Sequence, residues 1–423
     1  MQAPTPQPQG PLAGIRVVEV AVAVQGPAAG GYLAEMGAGV TKVEPPWGDG
    51  NRFHRGAYND LPDNVLGTQF IGVSCGKRSV SLDINSERGR ELVYRLVDNA
   101  DVFISNYREP ALERMGMDYE TLSARNPRLV YGVANGFGQE GPVANRPMTD
   151  QFAQSRSGIA SVTGEAGARP IIPGAIIGDY AGAIQLAMGI VLALYARDRI
   201  GVGQKVATSS YGAMIWMQGW EINHSSLTGH LLTRDGPHHP NVPSSVGIYE
   251  TADGASFCLS VTTNDAWKAL CDFAGVDDIV DDPRWDTPQK RSGLQSAEDA
   301  TNARELRTRL AAAVKSRSAG DWDQFFDQHP EIWYQRVFDY NDVLNDPQAL
   351  LNGYIVEKDI PHAGRHRVAG LPVKLSRTPG APQPLFADLG QHTEEVMLEL
   401  GYTRDEIEAL QKETSEALAA RYL

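Results

Sequence analysis

Residues 15–46 read "IRVVEVAVAVQGPAAGGYLAEMGAGVTKVEPP". The run "IRVVEVAV" is β-branched and apolar, as a buried strand requires. "GPAAGGYLAEMG" opens on Gly-Pro and continues in helical spacing, and "GVTKVEPP" returns to strand. Strand, helix and strand at this length form a βαβ unit, which demands a parallel sheet with a right-handed crossover. The pattern then repeats. "SVSLDI" (79–84) alternates as a strand, and "SERGRELVYRLVDNA" (86–100) follows with Leu92, Val93, Leu96 and Val97 on one helical face. "DVFISN" (101–106) and "RLVYGVANG" (128–136) add two more strands. The predicted class is α/β, with a Rossmann-like large domain on a parallel sheet. The glycines after the first strand lack G-x-G-x-x-G spacing, so dinucleotide binding is not indicated.

The 423 residues exceed what one core usually supports. From Val246 the texture changes. "GIYETADGASFCLSV" (247–261) reads as a hairpin around Asp253-Gly254, with helices in "NDAWKALCDFAG" (264–275) and "NARELRTRLAAAVKSR" (302–317). The expected organisation is a large domain over 1–225, a smaller α+β domain over 246–333, and a C-terminal segment over 345–423 returning to the large domain. Residues 223–245 and 333–371 read as extended linkers. A formal charge of −14 disfavours nucleic acid or an anionic membrane as partner. Three dispersed cysteines without CxxC point to a reducing, cytoplasmic setting. The Pro/Gln-rich start lacks the apolar core of a signal peptide. The most apolar run, 181–196, is interrupted by Gln185 and predicts a buried helix rather than a membrane span.

That helix is preceded by "GAIIGDYAGA" (174–183), where Asp179 is the sole charge. A helix starting near Tyr180 puts Asp179 at or beside the N-cap, a position aspartate favours for structural reasons alone. The same site suits a nucleophilic carboxylate held ionised by the positive helix end. Local spacing leaves both roles open.

Segments along nearly the whole chain decide between them: the opening stretch quoted above, "GKRSVSLDI" (76–84), "NYREPALERMGM" (106–117), "GFGQEGP" (136–142), "SGIASVTGE" (157–165), "GAIIGDYAGA", "RIGVGQKVA" (199–207), "DVLNDPQ" (342–348) and "LGQHTEEVMLELGY" (389–402). In this order they resemble the class III coenzyme A transferases, the family of formyl-CoA and crotonobetainyl-CoA transferases. The resemblance implies that Asp179 attacks the acyl carbon of a CoA thioester, passing through a mixed anhydride and an aspartyl-CoA thioester before CoA moves to a free carboxylic acid. CoA is then substrate, with no permanent cofactor and no metal. It further implies CoA contacts from Val22, Ala23, Val24 and Gln25, from Leu82 on the adenine side, and from Asn106, Arg114 and Met115. Asp150 joins Asp179 as a catalytic candidate, and an interlocked homodimer is implied. Asp150 also reads as a plain N-cap, and Arg114 as a solvated helix arginine.

The "NGFGQEG" loop (135–141) reads either as a set of backbone oxyanion donors or as a turn. Some members carry a CoA-binding lysine where Asn85 stands and an arginine where Pro45-Pro46 stand, which leaves Arg52, Lys77, Arg78 or Arg146 to hold the phosphates. Related acyl-CoA racemases have a histidine base where this chain has Thr149, so a racemase loses its base. A tetraglycine loop of the formyl-CoA enzymes is replaced here by "PNVPSSVGIYE" (240–250). Alternatives are an acyl-CoA isomerase or racemase, and a non-catalytic CoA-binding subunit of a heteromeric transferase. His238-His239 lack metal-ligand spacing. The run "YGAMIWMQGWEIN" (211–223) suits helix packing, or a pocket for a medium-length or aromatic acid.

Overall fold

The computed structural model describes residues 10–242, 245–380 and 386–421; the first nine residues of the Pro/Gln-rich start lie outside the described residues. Strands β1 (Arg16–Val20), β2 (Gly39–Glu44), β3 (Lys77–Ser81), β4 (Val102–Ser105), β5 (Val130–Asn135) and β6 (Lys205–Ser209) form one sheet in the order β3-β2-β1-β4-β5-β6. Every pairing is parallel. The strand order reverses between β1 and β4, and the crevice beyond their carboxyl ends is where open α/β sheets bind ligands. Strand β6, in the "RIGVGQKVA" stretch, is an element that periodicity did not reveal.

Alternate residues of each strand feed two cores. Val18, Val20, Val80, Phe103 and Tyr131 pack with Leu92, Leu96 and the C-terminal Val396 and Met397. Val17, Val40, Val102 and Ile104 pack with Ala29 and Leu33 of helix α1 (Gln25–Glu35) and with Leu186 and Ile190 further along the chain. Burial on both faces explains why these strands read as nearly continuous apolar runs.

The chain divides into two compact units, one of 1–157, 174–217 and 344–423, the other of 158–173 and 218–343. Residues 158–173 and 218–225, read from sequence as part of the large domain, thus group with the smaller unit. In that unit the expected hairpin is present, with β7 (Gly247–Glu250) and β8 (Ser256–Ser260) antiparallel and β9 (Trp333–Arg336) added beside β8. Its core is aromatic, with Trp267, Trp285, Trp322 and Phe326 buried. The two expected linkers carry regular structure: a helix over Gly219–Thr228, short helices over Tyr340–Asn345 and Pro347–Leu351, and a hairpin of β10 (Ile355–Ile360) with β11 (Gly364–Ala369). The C-terminal segment returns to β3. There the His392 backbone N–H donates to the Ser79 carbonyl at 2.9 Å, His392 Nδ1 accepts from the Ser79 N–H at 3.2 Å, and Thr393 Oγ1 accepts from the Ser81 N–H at 3.1 Å. This closes a sheet edge whose backbone groups would otherwise be unpaired.

Candidate active site

Asp179 lies in a helix that starts earlier than its sequence suggests. After α2 (Asp150–Ser157), helix α3 runs over Ile177–Ile200, with Ile176 at its N-cap. Asp179 is the third residue of the first turn, and the capping is done by another residue. The Asp150 carboxylate accepts through Oδ1 from the Gly178 N–H at 2.7 Å and the Asp179 N–H at 3.0 Å. Its Oδ2 accepts from Gln154 Nε2 at 2.5 Å. Two of the donors left unpaired at any helix start are thereby satisfied from outside, and the Asp179 side chain is released from that task. Asp150 is buried, and its carboxylate is engaged in holding the start of this helix. Gly178 is needed there, since a Cβ at 178 would stand 3.0 Å from Asp150 Oδ1.

Helix α4 (Ser210–Met217) begins directly after β6 and presents Ser210, whose hydroxyl donates to Asp179 Oδ1 at 3.0 Å. Ser210 is fixed in turn by Gln25. With the Gln25 amide oxygen facing it, Oε1 accepts from the Ser210 backbone N–H at 3.0 Å and Nε2 donates to the Asn135 carbonyl at 3.3 Å. A Cβ at Gly182 would sit 2.3 Å from that buried amide, so the glycine is what lets α3 approach it.

Burial raises the Asp179 carboxyl to about 6; the Ser210 hydrogen bond opposes the shift and the nearby Asp150 charge adds to it. Burial outweighs the positive helix end, which favours the ionised form, so the carboxyl lies above its ordinary value. Above about pH 6 the carboxylate is mostly ionised. The folded state binds this proton more tightly than the unfolded chain, whose carboxyl has the ordinary value of 3.8. The corresponding stability is fully present below about 3.8 and is lost as pH rises through about 6. Accordingly, Asp179→Asn is expected to melt at a higher temperature than wild type at pH 8 and at the same temperature near pH 3.5, as calorimetry at both pH values will test.

Ala23, Val24, Gln25, Asn106 and Asp179 line one cavity of about 250 Å³, joined by Arg108, Asn135, Gly136 and Arg146. Four of the residues that the resemblance assigns to CoA contact, Ala23, Val24, Gln25 and Asn106, thus share a cavity with Asp179. Ala23 adopts φ 61°, a conformation rare outside glycine, and is held by Asp49, whose carboxylate accepts from its N–H at 3.2–3.3 Å. Asn106 ties β4 to the end of β1, accepting from the Val22 N–H at 2.9 Å and donating to the Val22 carbonyl at 2.6 Å. Val22 itself does not line the cavity.

Most of the other residues singled out from sequence lie outside this cavity. Leu82 and Met115 are buried in the sheet core and do not line the cavity. Arg114 is exposed and lies outside the cavity. Arg52 and Lys77 are spent on buried carboxylates: Arg52 pairs with Glu44 at 2.6 Å and Lys77 with Glu19 at 2.6 Å. Lys42 bridges Glu19 and Asp49, so three cations balance three carboxylates behind the Ala23 turn. Such charges stay buried only when matched. Arg78 is engaged by Glu399. Arg146 alone of the four proposed cations faces the cavity, and Arg108, within the "NYREP" stretch, was missed. In the glycine loop, the Gly138 N–H donates to Asn135 Oδ1 at 2.7 Å and serves the turn. His238 meets the Val246 carbonyl and His239 pairs with Glu221; among the described residues no three potential ligands cluster for a metal.

A half-buried carboxylate with a hydroxyl donor, facing a cavity at the switch point of a doubly wound sheet, suits acyl chemistry on a bound thioester. Comparison with known proteins agrees. Residues 12–393 match the model of CoA-transferase family III. A succinyl-CoA–D-citramalate CoA-transferase of Chloroflexus aurantiacus is 31% identical over 406 residues, covering 96% of this chain and 98% of that one. A cinnamoyl-CoA:phenyllactate CoA-transferase of Clostridium sporogenes is 28% identical, covering 95% and 96%. The crystal structure of a CAIB/BAIF family protein from Brucella suis superposes with a TM-score of 0.81 at 28% identity, covering 93% of this chain and all of that one. With a full-length family match, a shared fold and an acyl-transfer geometry in hand, the chain belongs to the family III CoA-transferases.

Proposed function

We propose that the protein moves CoA from an acyl-CoA to a free carboxylic acid through covalent intermediates on Asp179. The observation that carries this reading is the division of labour at α3, where Asp150 caps the helix and leaves the Asp179 carboxylate to face the cavity. An Asp179 oxygen attacks the thioester carbonyl carbon, the C–S bond breaks, and a mixed anhydride forms as CoA thiolate leaves. The thiolate then attacks the aspartyl carbon, expelling the donor acid and leaving an aspartyl-CoA thioester. The acceptor carboxylate attacks that carbon, giving a second anhydride and thiolate. Attack of the thiolate on the acceptor's acyl carbon releases the new acyl-CoA and restores Asp179. Ser210, 3.0 Å from Oδ1, is placed to stabilise oxyanions that form on the aspartyl carbon itself. The Asn135 and Gly136 backbone, on the cavity wall, is the candidate support for oxyanions on the acyl carbon. Among the described residues no histidine lines the cavity, which favours transfer over racemisation. Incubation with an acyl-CoA followed by hydroxylamine should convert Asp179 to a hydroxamate visible by peptide mass spectrometry; label on another residue, or none with any donor, defeats the mechanism.

We further propose that the working form is a homodimer. Tyr180, Ile184, Met188, Leu192 and Tyr195 make an exposed apolar stripe along α3. By length and composition α3 could cross a bilayer, but its opposite side packs into the sheet core. A stripe of this kind calls for a protein surface over it. Light scattering at micromolar concentration should return twice the 45.9 kDa chain mass, and a monomer with full transferase activity would contradict the proposal. We place the protein in a reducing, cytoplasmic setting; its three cysteines form no disulfide.

A further inference from the structure

Among the described residues three non-glycine residues have positive φ: Ala23, Asn59 and His362. Asparagine and histidine visit this region several times more readily than other side chains, whereas the Ala23 methyl crowds the next carbonyl with nothing gained in return. Strain of this kind persists only where the surroundings over-determine it, and it clusters at working sites. Ala23 stands at such a place, in the wall of the cavity that holds Asp179.

The clamp is built from side chains of the neighbouring strands and the loops after them. Lys42 Nζ donates to the Ala21 carbonyl at 2.7 Å, Asn106 holds both backbone groups of Val22, and Lys77 Nζ donates to the Pro27 carbonyl at 2.7 Å. Residue 23 itself is held by Asp49, whose two oxygens both face its N–H. Asp49 is 2% exposed, and its carboxylate also accepts from the Asn51 N–H at 3.0 Å and pairs with Lys42 at 3.1 Å. What the clamp serves lies two residues on. Helix α1 starts at Gln25, whose amide holds Ser210 and the Asn135 carbonyl, and Ser210 donates to Asp179. The φ at residue 23 sets the direction in which α1 departs. An ordinary negative φ there would turn the chain away and take the Gln25 amide with it.

We propose that Asp49 is a positioning residue: by holding the Ala23 N–H it keeps the turn in its left-handed form, and through Gln25 and Ser210 it keeps the Asp179 carboxylate aimed at the thioester. The inference rests on the transferase reading above. Asp49 is not among the residues lining the cavity, so it acts through the turn and not on substrate. The competing role is that of a plain counter-ion for Lys42. Glycine at 23 separates the two, since it adopts positive φ without strain and needs no clamp, yet leaves Lys42 as it was.

The test is a double-mutant cycle on the full-length protein, with wild type, Asp49→Ala, Ala23→Gly and the double variant. Each is mixed with acetyl-, butyryl-, succinyl- or benzoyl-CoA and hydroxylamine, and label formation at Asp179 is followed by mass spectrometry against acyl-CoA concentration. Asp49→Ala should lower the maximal rate about 100-fold, the scale of a displacement of about 1 Å at the reacting groups, with little change in the half-saturating concentration. Adding Ala23→Gly should recover at least about tenfold of that loss. The melting temperature should stay below that of wild type, because the Lys42 ion pair remains broken. A glycine that changes the rate by the same factor with and without Asp49 overturns the inference, as does an Asp49→Ala variant labelled at the wild-type rate; both spare the transferase reading. If Asp49→Ala does not fold, Asp49→Asn takes its place, keeping an oxygen for the Ala23 N–H and removing the charge. Labelling near the wild-type rate, or a loss that glycine restores, supports the hydrogen-bonded role. A loss that glycine leaves untouched assigns Asp49 to Lys42 and overturns it. A wild type that forms no label at Asp179 with any of the four donors defeats the parent reading, and this one with it.

Discussion

Asp179→Ala is expected to lower CoA transfer by about three orders of magnitude or more, because the side chain proposed to carry both covalent intermediates is gone. The protein should otherwise be intact. The helix keeps its cap, since Asp150 bonds to the backbone N–H groups of 178 and 179 and not to the side chain removed. Ser210 loses one acceptor but retains the Gln25 amide oxygen within 3.0 Å of its hydroxyl. The variant should therefore bind acyl-CoA with near-normal affinity while forming no hydroxylamine-sensitive adduct. Steady-state rates and intact-protein mass spectrometry give the two readouts, and turnover near that of wild type would refute covalent catalysis at this position.

The second large effect is expected at Asp150. Asp150→Ala leaves the Gly178 and Asp179 N–H groups without an acceptor at a buried helix start, at about 1–3 kcal/mol for each unsatisfied group. The variant should melt several degrees lower and lose most of its activity, because the first turn of α3 is what aims the carboxylate. Asp150→Asn separates the two roles. Its amide oxygen still accepts from both N–H groups, and Gln154 Oε1, buried and unpartnered, can turn to accept from the new amide nitrogen. The fold should be rescued. The negative charge that helps hold the Asp179 carboxyl near pH 6 would be absent, so the acid limb of the rate profile should move to lower pH in Asp150→Asn. A capping residue with no electrostatic link to Asp179 would leave that limb in place, which makes the pH profile the decisive measurement.

Much of the fold was legible because its signals are local. Strand and helix periods alternate over residues 15–136, and the Asp253-Gly254 turn sits where a hairpin needs it. Strand β6 escaped notice because KVATS mixes polar and small residues at a sheet edge, and the start of α3 was misplaced because its cap comes from Asp150, 28 residues upstream of Gly178. The candidate site was legible mainly through resemblance, which singled out Asp179 and the Ala23–Gln25 turn, and these line one cavity. It could not sort the cations. Whether Lys77 faces a ligand or a buried acid depends on Glu19, 58 residues away in sequence and 2.6 Å away in space. Leu82 and Met115 pack into the sheet core, which sequence did not show, since an apolar residue at a strand end or in a short helix gives no local sign of whether it looks inward or toward a ligand.

The His392–Thr393 backbone pairing with β3 has a consequence for how the chain is made. The nascent polypeptide leaves the ribosome amino end first, so the sheet holding the cleft waits with one rim open until residues 392 and 393 have been synthesised. Premature termination after residue 390 would spare every residue of the cleft, yet yield a molecule with a raw strand flank prone to sticking to its own kind.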